Sequence, residues 1–301
     1  MNKDFKSGFV SIIGRPNVGK STLMNALVGE KIAITANRPQ TTRNSIKTIL
    51  TKQDCQIVFV DTPGIHKPST KLGEYMVKSA YASLKDIDLL LFLTEPGKNM
   101  LKKDEEILSD IKKAGVKTIL VINKTDTVKK EDLLKTIDEY SKEVDFAEVV
   151  PISALKEDNL DTLLKCITDL LPEGPMYFPE DMVTDLTERQ IVGEIVREKC
   201  LYLLKEEIPH GVAVEVTAMK KRENKDFYDI DANIYCEKES HKGIIIGKKG
   251  AMLKNIGSTA RYAIEKFLGC QINLKLWVKT KKDWKDNDFL LKSFGYDKKE
   301  I

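Results

Sequence analysis

The sequence predicts an α/β domain, built on a mainly parallel sheet with helices on both faces, followed by a smaller α+β domain. Three observations carry that expectation. The first 170 residues alternate short apolar runs with amphipathic stretches. The segment Pro172-Glu-Gly-Pro-Met-Tyr-Phe-Pro179 then breaks every periodicity. Beyond it, helices and strands no longer simply alternate. A chain of 301 residues also exceeds what one core usually serves.

In chain order, strands are expected at Phe9–Ile13, Ile46–Leu50, Ile57–Val60, Leu89–Leu93, Thr118–Ile122 and Val149–Ile152. Leu133–Val144 and Leu160–Leu171 read as amphipathic helices. Runs such as LLLFL, apolar on both faces, belong in a parallel sheet covered on each side. After the break come a helix near Glu188–Glu206, strands at Val212–Met219 and Phe227–Cys236, a basic Gly-containing turn, a helix at Ala251–Leu268, and a strand at Ile272–Val278. The expected boundaries are 1–172 for the first domain, 173–187 for a linker, 188–282 for the second domain and 283–301 for a tail.

The chain is 42% hydrophobic, with 49 Lys+Arg against 46 Asp+Glu. That near balance hides an asymmetry: residues 241–282 carry ten Lys/Arg against the single acid Glu265, the signature of a surface facing a polyanion. Five scattered cysteines (Cys55, Cys166, Cys200, Cys236, Cys270) form no CxxC pair and read as reduced thiols. No apolar run is long enough for a membrane span, and the N-terminus lacks a signal segment. A soluble intracellular protein is expected, and with no coiled-coil seam a monomer.

Gly14-Arg15-Pro16-Asn17-Val18-Gly19-Lys20-Ser21 fits GxxxxGK[ST] between a strand and a helix. Such a loop closes backbone N–H groups around phosphates; Lys20 would reach the β- and γ-phosphates and Ser21 would bind Mg²⁺. Asn123-Lys124-Thr125-Asp126 follows a strand and fits NKxD, where a carboxylate accepts from guanine N1–H and its exocyclic amine, a donor pair adenine lacks. Ser153-Ala154-Leu155 lies just past the last strand, where a backbone N–H can meet the guanine oxygen. Asp61-Thr62-Pro63-Gly64 ends another strand; Asp61 would hold Mg²⁺ through water and Gly64 N–H would touch the γ-phosphate. In Arg38-Pro-Gln-Thr-Thr-Arg-Asn44, a Thr hydroxyl would join Mg²⁺ when the γ-phosphate is present. Thr42 is favoured, though spacing does not separate it from Thr41.

These elements in this order resemble the Ras-like GTPases of the translation-factor class over residues 8–170. Two departures matter. Ile65 stands where Ras-type enzymes place the Gln that orients the attacking water, so slow intrinsic hydrolysis is expected. Asn17 matches the P-loop Asn of the potassium-using relatives, so the resemblance implies a K⁺ at Asn17 that stabilises transition-state charge. Lys20, Asn17, Thr42 and Gly64 are the expected catalytic set. A small-molecule phosphotransferase is disfavoured by NKTD and by the absence of an Arg-rich lid.

In the second domain Gly247-Lys248-Lys249-Gly250 lies between Ile244-Ile245-Ile246 and a helix with a single apolar stripe. Two helices joined by GxxG resemble a type II KH domain, whose glycines admit a single-stranded backbone and whose lysines contact phosphates. The expected RNA-facing residues are Ile244, Ile245, Gly247, Lys248, Lys249, Gly250, Lys254, Lys275 and Lys279. At least one isoleucine is core. Trp277 or Trp284 could stack on a base or pack against protein.

The two domains together resemble the Era-like family of bacterial GTPases. That resemblance implies a GTP/GDP switch that binds the 3′ region of small-subunit ribosomal RNA and assists maturation of the small ribosomal subunit. It also implies a cytoplasmic protein partly associated, peripherally, with the inner face of the membrane. The alternative is a GTPase whose second domain contacts protein or membrane.

Overall fold

The computed structural model describes residues 5–30, 42–44, 46–61, 68–82, 87–97, 100–223 and 225–296. Its first part is a six-stranded sheet in the order β2-β3-β1-β4-β5-β6. The strands are β1 (Lys6–Ile13), β2 (Ile46–Thr51), β3 (Cys55–Asp61), β4 (Leu89–Thr94), β5 (Thr118–Ile122) and β6 (Glu148–Pro151). All pairings are parallel except β2 with β3, which form an antiparallel hairpin at the edge. Every residue of β3, β4 and β5 is buried, as near-continuous apolar runs require.

Helices cover both faces. On one, α1 (Lys20–Val28) brings Leu23, Met24 and Leu27, and α5 (Leu160–Leu170) brings Leu163, Leu164 and Ile167. On the other, α3 (Lys102–Ala114) packs Ile107, Leu108 and Ile111, and α4 (Lys130–Ser141) adds Tyr140. The helix α2 (Lys71–Ala82) connects β3 to β4, which lies on the far side of β1. Because the chain leaves β1 in both directions along the sheet, a crevice opens at the carboxyl ends of β1, β3 and β4, where α/β sheets bind ligands.

The Pro/Gly-rich stretch after α5 has no periodicity, yet it is tied to the first sheet. Gly174 N–H donates to Phe5 O, and the buried Gln56 side chain on β3 accepts from Tyr177 and Phe178 N–H while donating to Phe178 O. Next to β2, Ile49 N–H donates to Val183 O and Asp185 N–H to Lys47 O. Backbone groups of an edge strand are thereby satisfied by chain that needs no regular pattern. The two compact units divide between Asp185 and Leu186, apart from Pro68–Tyr75, which group with the second.

The second unit begins with α6 (Glu188–Leu203), started by a capping box between Thr187 and Gln190. Strands β7 (Ala213–Lys221), β8 (Phe227–Cys236) and β9 (Gln271–Thr280) form a sheet with β7 antiparallel and β9 parallel to β8. Between β8 and β9 run α7 (Glu239–Ile246) and α8 (Ala251–Leu268). The apolar stripe of α8 is realised by buried Ile256, Ala260 and Ile264. A short α9 (Asp288–Ser293) follows. Trp284 is wholly buried with its Nε1–H donating to Gly211 O at 2.9 Å, so it is a packing residue and not a base-stacking one. Among the described residues no helix is long and apolar enough to cross a membrane.

Candidate functional site

The loop between β1 and α1 has the shape of an anion cradle. Asn17 takes the left-handed region at φ 67° and Gly19 a φ of 104°. A Cβ on Gly19 would stand 2.2 Å from Asn123 Nδ2, so only glycine lets the loop lie against the NKTD turn. Helix α1 starts with no side-chain cap and no acid in its first turn, which leaves its leading N–H groups for a ligand. Lys20 is 6% exposed, and its Nζ donates to Gly14 O and Arg15 O at 3.0 Å each. Burial pushes its ammonium down to about 8, opposed by the nearby Asp61 carboxylate and reinforced by Arg15. A phosphate in the cradle would add counter-charge and favour the charged form of this buried lysine.

Three hydroxyl or carboxylate groups from separate segments meet beside Lys20. Ser21 Oγ lies 3.1 Å from Thr42 Oγ1 and donates to Asp61 Oδ2 at 3.0 Å, and Thr42 Oγ1 donates to the same oxygen at 2.9 Å. Hard oxygen donors converging at a phosphate cradle fit Mg²⁺, which takes one or two protein ligands along with phosphates and water. Thr62, Pro63, Gly64 and Ile65 lie outside the described residues, as do Thr41 and the rest of 31–41.

On the far side of the cradle, Asn123 acts as a tie. Its Nδ2 donates to Val18 O at 2.8 Å and its Oδ1 accepts from Ala154 N–H at 2.9 Å, which joins the P-loop, NKTD and Ser153-Ala154-Leu155. The Ala154 N–H is therefore committed to Asn123 in this structure. Lys124, left-handed at φ 64°, donates to Asn17 O at 2.9 Å. Asp126 Oδ1 accepts from Ser153 Oγ at 2.6 Å, which aims the carboxylate. Thr125 N–H anchors the turn on Ile152 O. Leu155 is 75% exposed at the rim.

In the second unit α7 ends at Gly247, φ 73°, where a Cβ would stand 2.7 Å from Met252 Cβ and 2.9 Å from its N. Lys248–Gly250 then make one tight turn, with Lys249 at φ 52° and Gly250 at φ 79° starting α8. Lys248, Lys249 and Lys254 are exposed around this turn, and Ile244 beside it is 50% exposed. Ile245 is not a contact residue. It is 0% exposed in the core with Ile256 and Ile264, because neighbouring residues on a helix are turned about 100° from one another and only one of the three isoleucines points fully inward.

On β9, Ile272, Leu274, Leu276 and Val278 pack toward the helices. Alternation turns Lys275, Trp277 and Lys279 to the other face of the sheet, away from the GKKG turn. Ile246, Met252, Leu253, Leu274 and Leu276 are partly buried and pack against the core of this unit.

Comparison with known proteins agrees with this geometry. Residues 9–124 match a family described as 50S ribosome-binding GTPase, and residues 207–285 match the KH domain family. The GTPase Era of Clostridium perfringens is 56% identical over 98% of this chain and 99% of its own. That of Clostridium novyi is 57% identical over 97% and 99%. The chain belongs to the GTPase Era family. An Era variant of Aquifex aeolicus solved with GDP and AlF4⁻ shares its fold at a TM-score of 0.94, with 42% identity over 97% of this chain and 100% of that one. A crystal structure of Era in complex with MgGDPNP and nucleotides 1506–1542 of 16S ribosomal RNA also superposes at 0.94, with 43% identity over 97% and 99%.

As an Era-family member the chain is a GTPase with a C-terminal KH domain. The structure brings Ser21, Thr42 and Asp61 to one point beside Lys20 and orients the Asp126 carboxylate through Ser153. Sequence reasoning missed Glu95, Asp104 and Tyr140, which lie against Arg15 and Lys124. Nothing in the pattern of an acid-rich helix start singles out Asp104 from Glu105 or Glu106.

Proposed function

We propose that this Era-family GTPase uses its nucleotide state to control the grip of its KH groove on the 3′ region of small-subunit ribosomal RNA, and so assists maturation of the small ribosomal subunit in the cytoplasm. One observation carries the reading: the homologous structure that holds both MgGDPNP and nucleotides 1506–1542 of 16S ribosomal RNA matches this chain across both units. The exposed GKKG turn supplies the phosphate contacts such an RNA needs. We further propose a peripheral association with the inner face of the membrane, as in the family resemblance.

Ser21 and Thr42 would hold Mg²⁺ directly and Asp61 through water; the ion supplies charge that neutralises the phosphate oxygens. Lys20 balances the β- and γ-phosphates, and the amides of Asn17 to Ser21 hold their orientation. Thr42 and Asp61 stand at the ends of the loop and strand that respond to the γ-phosphate, so GTP and GDP should present different surfaces. The switch is tested by binding a labelled oligonucleotide from the 3′ end of 16S ribosomal RNA with GDP and with a non-hydrolysable GTP analogue. Tighter, sequence-selective binding in the GTP state is expected; equal affinity in both states would refute the coupling.

Asn17 is exposed on top of the P-loop with its carbonyl anchored by Lys124. We propose that its side chain binds K⁺ and helps offset transition-state charge, in place of the Gln absent at Ile65. Turnover in KCl is then expected to exceed that in NaCl at equal ionic strength, and Asn17→Ala should abolish the difference. Equal turnover in the two salts would remove K⁺ from the mechanism.

A further inference from the structure

The first half of the P-loop is gripped by a chain of charged and polar groups that lie outside the loop. Asp104, in the first turn of α3, is 0% exposed. Its two oxygens accept from Arg15 Nε at 2.9 and 2.8 Å, and Oδ2 also accepts from Tyr140 OH at 2.6 Å. Tyr140 OH is in turn 3.0 Å from Thr94 Oγ1 at the end of β4. The next residue, Glu95, stands 3.8 Å from Arg15 Nη2 and accepts from Lys124 Nζ at 2.5 Å. That same ammonium donates to Asn17 O.

We propose that Asp104 and Glu95 are positioning residues for the nucleotide cradle. Asp104 fixes Arg15, Glu95 links Arg15 to Lys124, and Lys124 holds the left-handed Asn17, so that Arg15–Val18 keeps its phosphate-binding shape. A wholly buried carboxylate is a costly way to tether a helix, and a surface pair would serve as well for that purpose. Burial pushes the Asp104 carboxyl up, and the Tyr140 hydroxyl and the Arg15 guanidinium pull it back toward the charged form. The charge faces the one P-loop side chain that can meet it. The two ends of the chain of contacts, α3 and the NKTD turn, are both outside the P-loop, so Arg15–Asn17 is held between rigid supports.

The test is the rate of GDP release, followed with a fluorescent GDP on the full chain, alongside thermal melting. Arg15→Gln and Asp104→Asn should each speed release about tenfold, with lowered melting because each leaves a buried partner uncompensated. In the Arg15→Gln/Asp104→Asn double variant the buried charge imbalance is gone. Melting should recover toward wild type while release stays about tenfold fast, far from the product of the two single effects. Glu95→Gln, at a partly exposed site, should keep its melting point and speed release about threefold. Lys112→Ala breaks an exposed pair with Glu143 that also joins α3 to the end of α4, and should release GDP at the wild-type rate. The proposal is overturned if release merely tracks melting across the series, so that the double variant recovers both. It is equally overturned if Glu95→Gln releases GDP at the wild-type rate.

Discussion

Replacing Asp126 by Asn is expected to weaken GTP and GDP binding by about 10²–10³-fold and to make xanthosine nucleotides the better ligands. The carboxylate is oriented by Ser153 Oγ at 2.6 Å and stands on a turn anchored to Ile152 O. In the expected role it would accept two hydrogen bonds, from guanine N1–H and the exocyclic amine. Charge-assisted bonds of this kind contribute about 1.5–3 kcal/mol each, and each 1.4 kcal/mol is a factor of ten in affinity. An Asn amide still accepts from N1–H but sets an N–H against the guanine amine, two donors face to face. Xanthine carries a carbonyl at that position and so matches the amide. Competition binding with GTP and XTP gives the answer directly. An Asp126→Asn protein that kept its preference for GTP would show that another group reads the base.

The second large effect is expected in the KH unit. Lys248→Asp/Lys249→Asp should reduce affinity for single-stranded RNA by about 100-fold or more near 0.1 M salt, because two phosphate contacts become two repulsions. The neutral pair Lys248→Gln/Lys249→Gln separates charge from shape. Its log–log dependence of affinity on salt should be shallower by about 1.4, at about 0.7 per phosphate contact on a single strand. Both side chains are exposed on a turn whose shape is set by Gly247 and Gly250, so the fold should persist, as circular dichroism would verify. A Gln pair with an unchanged salt slope would mean that the lysines do not touch phosphate. RNA would then have to enter by another surface.

Much of the nucleotide site was legible because its chemistry is local. A phosphate cradle needs glycines, a lysine and a hydroxyl within one turn, and Gly14 to Ser21 spell that out. The NKTD turn and Ser153-Ala154-Leu155 were legible for the same reason: each follows a strand whose end fixes where the loop points. The GKKG turn was readable from the helices on either side. Ile245 was not separable from Ile244 and Ile246, since three identical neighbours carry no sign of which one faces inward. The Pro-rich segment after α5 reads as a linker, and the sequence carries no sign that Gln56 and the edge of β2 bind it. Hydrogen bonds from side chain to backbone leave no periodic trace. Lys275 and Lys279 count toward a basic stretch in one dimension but stand on the sheet face opposite the helices.

By itself, then, the sequence determined the two folds, the guanine nucleotide and the family, which rest on motifs whose residues lie close together in the chain. The tertiary structure brings the motif residues to one point, and it alone decided which distant groups outside the motifs support them. Ser21, Thr42 and Asp61 meet because α1, the loop before β2 and the end of β3 converge at one edge of the sheet. Asp104 reaches Arg15 across 89 positions because β4 lies between β1 and β5, placing α3 beside the P-loop. Motifs encode what a short loop must do. The energy of a buried ion pair depends on burial and on a partner's geometry, and neither exists until the chain has folded.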